Sequence, residues 1–385
     1  MGSLEIAICG IGAVTGYGWG RDRLWEGLSS GKHAARLEGG YGPDCDELAW
    51  VIRVPEGGED DDGPTRFAKS VRAAAREAVL DAFERGWRPG PRVGVVHGEV
   101  LHDTLSWAEF YASNRFGRVR DYLSMMPSTA PSMFMKEFDF HGPSLAVGAM
   151  CASGNAALIT AKTWLDAGIV DDVVCIATDL TINPQQLWHM VRLGVVVADA
   201  DPLTACRPFQ EGSRGFPMAE GSAAFVLSKR SDRPYARALG GAITQDAYHV
   251  ISIDPDLDQL RACYTKALAD AGVSGSDIRY VNAHGPGTAQ CDRAESMMLE
   301  EFFTPETGIY SVKPLVGHCQ GAAAGVELAV AAMAYERGYL PAPPRVAPGH
   351  PQLISGKTPI GDGLTLKSSL GMGGNNTAVV LAPAA

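Results

Sequence analysis

The chain has 385 residues, 20% of them charged, and a formal net charge of −11. That length can bury a large core and accommodate two fused halves, while the acidic balance argues against general affinity for nucleic acid. No uninterrupted apolar stretch is long enough to cross a bilayer and no charged start leads into an apolar run, so a cytoplasmic protein without a membrane partner is expected.

Apolar strand candidates at Glu5–Cys9, Arg92–His97, Leu145–Met150, Asp172–Ala177 and Ala223–Leu227 alternate with helical runs such as Ser70–Arg85 and Ala156–Ala167. Among them Glu56–Pro64, with Glu59, Asp60, Asp61 and Asp62, is polar and glycine-rich and reads as an exposed loop. The pattern then begins again: Ala238–Thr244, helix Leu257–Ala271, strand Ile278–Ala283, helix Asp292–Phe303, strand Gly308–Val312, helix Gly321–Arg337. Strands Leu364–Ser368 and Thr377–Ala382 close the chain. Such alternation predicts mainly parallel sheets covered by helices. The similar order of 1–235 and 236–385 predicts a duplicated fold. The eight cysteines stand singly, which argues for reduced thiols rather than a disulfide framework or a zinc site.

One of them, Cys151, closes the apolar run Ser144–Met150 and opens a run of small residues, Ala152-Ser153-Gly154-Asn155-Ala156-Ala157. A cysteine between a strand and a helix meets the positive end of the helix dipole, which favours a thiolate nucleophile at neutral pH. Small neighbours leave room for a substrate and free backbone N–H groups for a developing oxyanion. Downstream, Ile278–Ala283 runs into His284-Gly285-Pro286-Gly287-Thr288, and Tyr310-Ser311-Val312 into Lys313-Pro314-Leu315-Val316-Gly317-His318. Both histidines stand beside glycine at strand ends, where an open α/β sheet places reactive groups.

These segments, together with Ser369-Leu370-Gly371-Met372-Gly373-Gly374-Asn375-Asn376, resemble the β-ketoacyl-acyl carrier protein synthases of the elongating Cys-His-His type, over essentially the whole chain. Arg207-Pro208-Phe209, Gly215-Phe216, Glu220-Gly221 and Asp246-Ala247-Tyr248-His249 add to the likeness. The resemblance implies a thiolase-like, five-layered α-β-α-β-α fold. It also implies Cys151 as acyl nucleophile, with Met372 at the oxyanion hole and gate. His284 and His318 would stabilise the enolate of a malonyl-type extender, Lys313 and Glu327 would support them, and Thr288 would touch phosphopantetheine. No cofactor or metal beyond that carrier-borne arm is expected. The implied partners are an acyl carrier protein and a twofold mate, either a second copy or a ketosynthase paralogue, meeting near Ser144–Met150. A lone carboxylate such as Glu327 in an apolar helix has to be paired.

The residues also set limits. A thiolase would need a cysteine in the C-terminal glycine segment, and a CoA-primed synthase an asparagine at His318. A chain-length-factor subunit would normally lack Cys151. The chain departs from the family at Pro286 and Asn375, where threonine is common, and at Met372, where phenylalanine is usual. The acidic run Glu59–Asp62 stands where basic residues often dock the carrier, which leaves Arg115, Arg118 and Arg120 as candidate docking residues. Two other outcomes stay open: transfer of the acyl group to an alcohol or amine without decarboxylation, and a non-catalytic subunit of a heterodimer.

Overall fold

A computed structural model describes residues 5–113 and 119–384, apart from the side chains of Arg120 and Asp121. Its centre is one 11-stranded sheet. The first half contributes β1 (Ile6–Thr15), with the two-residue strand Gly18–Trp19 paired to its end, β2 (Val93–Gly98), β3 (Ser144–Val147), β4 (Asp172–Asp179) and β5 (Gly221–Ser228). The second contributes β6 (Ala236–Gln245), β7 (Ile278–Asn282), β8 (Gly308–Tyr310), β9 (Leu364–Gly371) and β10 (Asn375–Pro383).

Duplication is visible in the pairing. From edge to centre the first half runs β3-β2-β4-β5-β1 and the second β8-β7-β9-β10-β6. In each, two parallel pairings are followed by two antiparallel ones. The halves join where Ile6–Ile8 pairs antiparallel with Ala236–Ala238.

Helices complete the layers. α1 (Arg66–Glu84) covers the outer face of the first half, and α4 (Asp258–Ala271) with α5 (Ala289–Phe302) covers the second. α2 (Ser153–Asp166) and α6 (Ala323–Arg337) pack against each other between the two halves. Their contact is tight, since a Cβ on Gly154 would lie 2.3 Å from the Gly325 nitrogen. The remaining helix needed below is α3 (Pro184–Arg192), capped by Asn183 and opened by proline. Among the described residues no helix is long and apolar enough to cross a membrane.

Several boundaries differ from the sequence reading, each for a local reason. β1 continues past Cys9 to Thr15 because its glycines admit α1: a Cβ on Gly10 or Gly12 would lie 2.1 or 2.0 Å from a carbonyl oxygen of that helix. α1 starts four residues earlier than Ser70 because Thr65 accepts a hydrogen bond from the Ala68 N–H. The acidic segment is not simply an exposed loop. Asp60–Asp62 forms one 3-10 turn, and Asp62, 1% exposed, pairs with Arg76 at 2.6 Å. Arg115 and Arg118 lie outside the described residues. Arg120 falls on the short helix Val119–Ser124, its side chain outside them too.

Candidate active site

The strand expected to reach Met150 stops at Val147, and Met150–Ala152 makes a single 3-10 turn before α2. Met150 takes a left-handed φ of 51°, uncommon for a residue with a side chain and a frequent mark of functional turns. Ser153 Oγ ties the turn by donating to the Met150 carbonyl at 2.7 Å and accepting from the Ala149 N–H at 2.9 Å. Ser369 Oγ donates to the Cys151 carbonyl at 3.0 Å. Gly371 closes the packing, for a Cβ there would lie 2.5 Å from the Ala149 carbonyl oxygen.

Cys151 is 5% exposed. Burial pushes its thiol up to about 11, against the opposing pull of Lys313 and of the backbone N–H groups of Met372 and Cys151. This corrects the expectation of a thiolate poised at neutral pH: the sulfur sits in a buried turn just before the helix, and desolvation outweighs what the helix end offers. A base must take its proton. The same two N–H groups converge on the sulfur, the arrangement an oxyanion hole requires.

Candidate bases are adjacent. Ligating atoms of Cys151, His284 and His318 all lie within 4.8 Å of one another, and the two imidazoles cross at 80° with centroids 5.3 Å apart. Burial, then the positive charge of Lys313, holds both imidazoles well below the usual histidine range, so both are neutral at pH 7. His318 Nδ1 accepts from the Gln320 N–H at 3.1 Å, which leaves its proton on Nε2. The Phe216 ring packs on His318 at 4.5 Å between centroids. Three such ligands could in principle hold a metal, but two ammonium groups beside the imidazoles oppose a cation.

Those ammoniums belong to Lys313 and Lys367, and Glu327 lies between them. Lys313 Nζ donates to one carboxylate oxygen and to the His284 carbonyl, and Lys367 Nζ reaches the other oxygen at 2.9 Å. All three side chains are buried, which meets the expectation that Glu327 is paired. Lys367 itself was not anticipated. Neither was Glu295, whose carboxylate accepts from the His284 and Gly285 N–H groups, each at 2.7 Å, and from Ser368 Oγ. The signal for both was present, as a lysine and a glutamate inside runs otherwise apolar or small, Leu364–Leu370 and Ala294–Leu299.

A cavity of about 290 Å³ opens onto Cys151, His284 and His318. Thr288, Pro286 and Met372 line it, and so do Asp246, from the family-like segment Asp246–His249, and Cys291, which the sequence reading did not single out.

Of the two histidines, His284 follows β7, whereas the helical turn Lys313–Val316 separates His318 from β8, so His318 is not at the strand end expected. This duplicated fold is that of the thiolase-like ketosynthases. The β-ketoacyl synthase N-terminal domain model matches residues 65–233 and the C-terminal domain model residues 235–346. The tetracenomycin polyketide synthase ketoacyl synthase alpha subunit of Streptomyces glaucescens is 30% identical over 374 residues, covering 88% of this chain and 86% of its own. The chloroplastic 3-oxoacyl-[acyl-carrier-protein] synthase I of Hordeum vulgare is 32% identical over 262 residues, 63% of this chain and 56% of its own. Among solved structures, the Xenorhabdus doucetiae ketosynthase ApeO in complex with its chain length factor ApeC superposes with a TM-score of 0.86 at 22% identity, over 99% of this chain and 98% of that one. The chain belongs to the β-ketoacyl synthase family.

Proposed function

We propose that the protein makes carbon–carbon bonds by decarboxylative Claisen condensation, joining an acyl group on Cys151 to a malonyl-type extender on an acyl carrier protein, in a specialised fatty-acid or polyketide pathway. The convergence of Cys151, His284 and His318 within 4.8 Å on one cavity carries this reading. In the first half-reaction a neutral imidazole takes the Cys151 proton and the sulfur attacks the carrier thioester. The oxyanion is held by the N–H groups of Cys151 and Met372, and the pantetheine thiol leaves. In the second, His284 and His318 donate to the thioester carbonyl of the extender. Carbon dioxide departs, the electrons of the broken bond form an enolate, and its carbon attacks the acyl carbonyl to expel Cys151. Lys313, anchored by Glu327, positions His284 through its backbone carbonyl; Thr288 contacts the pantetheine arm and Met372 gates the cavity. The reading calls on no cofactor beyond that arm.

Assembly is part of the proposal. β3 is an edge strand whose Ser144, Leu145 and Ala146 are exposed, and such an edge requires cover. A twofold mate, either a second copy or a paralogue, would pair there.

Incubation with acyl- and malonyl-loaded carrier, followed by intact-mass measurement of enzyme and carrier, tests the function. A transient acyl adduct on Cys151 and a β-ketoacyl product on the carrier are expected. An ester or amide product without loss of carbon dioxide would replace it with simple acyl transfer, and no adduct at all with a non-catalytic subunit.

A further inference from the structure

The surface around the mouth of the Cys151 cavity is apolar, and the catalytic account makes no use of it. On one side Trp188 and Val191, three residues apart on α3, and Leu193 just beyond it are exposed. On the other, the loop 247–253 exposes Tyr248, Val250 and Ile251, with Val250 74% exposed. Leu193 and Ile251 also line the cavity, so the two segments frame one opening. The loop is turned on itself locally, His249 Nδ1 accepting from the N–H groups of Ile251 at 3.1 Å and Ser252 at 3.0 Å.

Charge on this rim stands at its margins, with Asp246 and Asp254 flanking the loop. Within 187–195 and 247–253 the one permanently charged residue is Arg192, and its guanidinium lies 5.5 Å from the centre of the Trp188 ring. Among the described residues, Arg66 donates to the Val54 carbonyl and pairs with buried Glu220, and Arg214 pairs with Asp199. A contiguous exposed apolar patch at a functional opening marks an interaction site.

We propose that this rim is the docking collar for the carrier protein, and that it binds through apolar contacts rather than by pairing basic residues with an acidic carrier. The inference rests on the ketosynthase reading. A thioester tethered to a carrier reaches a buried sulfur only if the carrier stands over the cavity mouth, which makes the carrier the occupant. The complementary carrier presents an apolar, weakly charged face, and a docking of this kind responds little to salt.

Loading of Cys151 is measured from acyl-carrier and from a diffusible acyl-N-acetylcysteamine thioester, for wild type, Trp188→Glu and Val250→Glu. The variants are expected to lose on the order of tenfold or more in kcat/KM with the carrier and nothing with the diffusible donor. Wild-type loading from the carrier should change by less than about twofold between about 0.05 and 0.5 M salt. Carrier loading unaffected by both variants, or falling steeply with salt, overturns the proposal while the ketosynthase reading stands. A change of oligomeric state in the variants, by sedimentation, overturns it in favour of a second copy on the rim. Loading from neither donor by wild type overturns the ketosynthase reading and this proposal with it.

Discussion

Replacing Glu327 with glutamine isolates the charge that holds the centre of the site. The carboxylate lies between Lys313 and Lys367, with all three side chains buried, so the variant strands two ammonium groups out of water. Removing one partner of a buried pair destabilises by about 3–5 kcal/mol. Unfolding entropy of about 2.1 cal/mol/K per residue over 385 residues amounts to roughly 0.8 kcal/mol/K, so Tm should fall by about 4–6 °C. Glu327→Gln/Lys367→Met removes one stranded charge and should recover roughly half of that loss. Because Lys313 also holds the His284 carbonyl, condensation should drop by about 10- to 100-fold in Glu327→Gln, as for other residues that orient a reacting group. Calorimetry and a carrier-based condensation assay read the two effects. An unchanged Tm with unchanged turnover would show that the cluster carries no charge to balance.

Four further outcomes follow from the geometry. Since burial holds the Cys151 thiol near 11, its alkylation by iodoacetamide should accelerate steadily through pH 9; a plateau by pH 8 would mean a preformed thiolate. His284 and His318 stay neutral in the fold while unfolded histidine gains a proton below about 6.5. Each therefore subtracts stability as pH falls below that value, and His284→Gln or His318→Gln should lose less stability than wild type between pH 7 and 5, by denaturant titration at each pH. Gly154→Ala drives a methyl into the backbone of α6 and should destabilise by about 1–3 kcal/mol, read as a lower urea midpoint; an unchanged midpoint would refute the tight contact of the central helices. If a twofold mate pairs with the exposed edge strand as proposed, Leu145→Lys should abolish that pairing in sedimentation, and a dimer that persists would place the interface elsewhere.

The candidate trio was legible because its signals are local: Cys151 and His284 each follow an apolar strand and His318 stands among small residues, a pattern visible without three dimensions. Strand–helix alternation likewise announced the two halves, though not that their strands share one permutation, which depends on pairing between distant segments. Lys367 escaped because its partner, Glu327, is remote in the chain and meets it only through the β7–β9 pairing and the packing of α6, and Glu295 escaped because its partners are backbone N–H groups, which no residue type announces. The Cys151 thiolate was misjudged for a related reason. Position at a helix start is written in the chain, but the desolvation that opposes it comes from the second half folding over the turn. Asp62 was taken as solvated because it sits in an acidic run, whereas Arg76 on α1 draws that one carboxylate inward.

The most direct test of the account separates the work of the cysteine from that of the histidines. In His284→Ala and His318→Ala, intact-mass measurement of acyl loading on Cys151 is paired with carbon dioxide release from malonyl-carrier. Loading that persists, with carbon dioxide release reduced on the order of 100-fold in each variant, is what the account predicts. Release at the wild-type rate from both variants would contradict it.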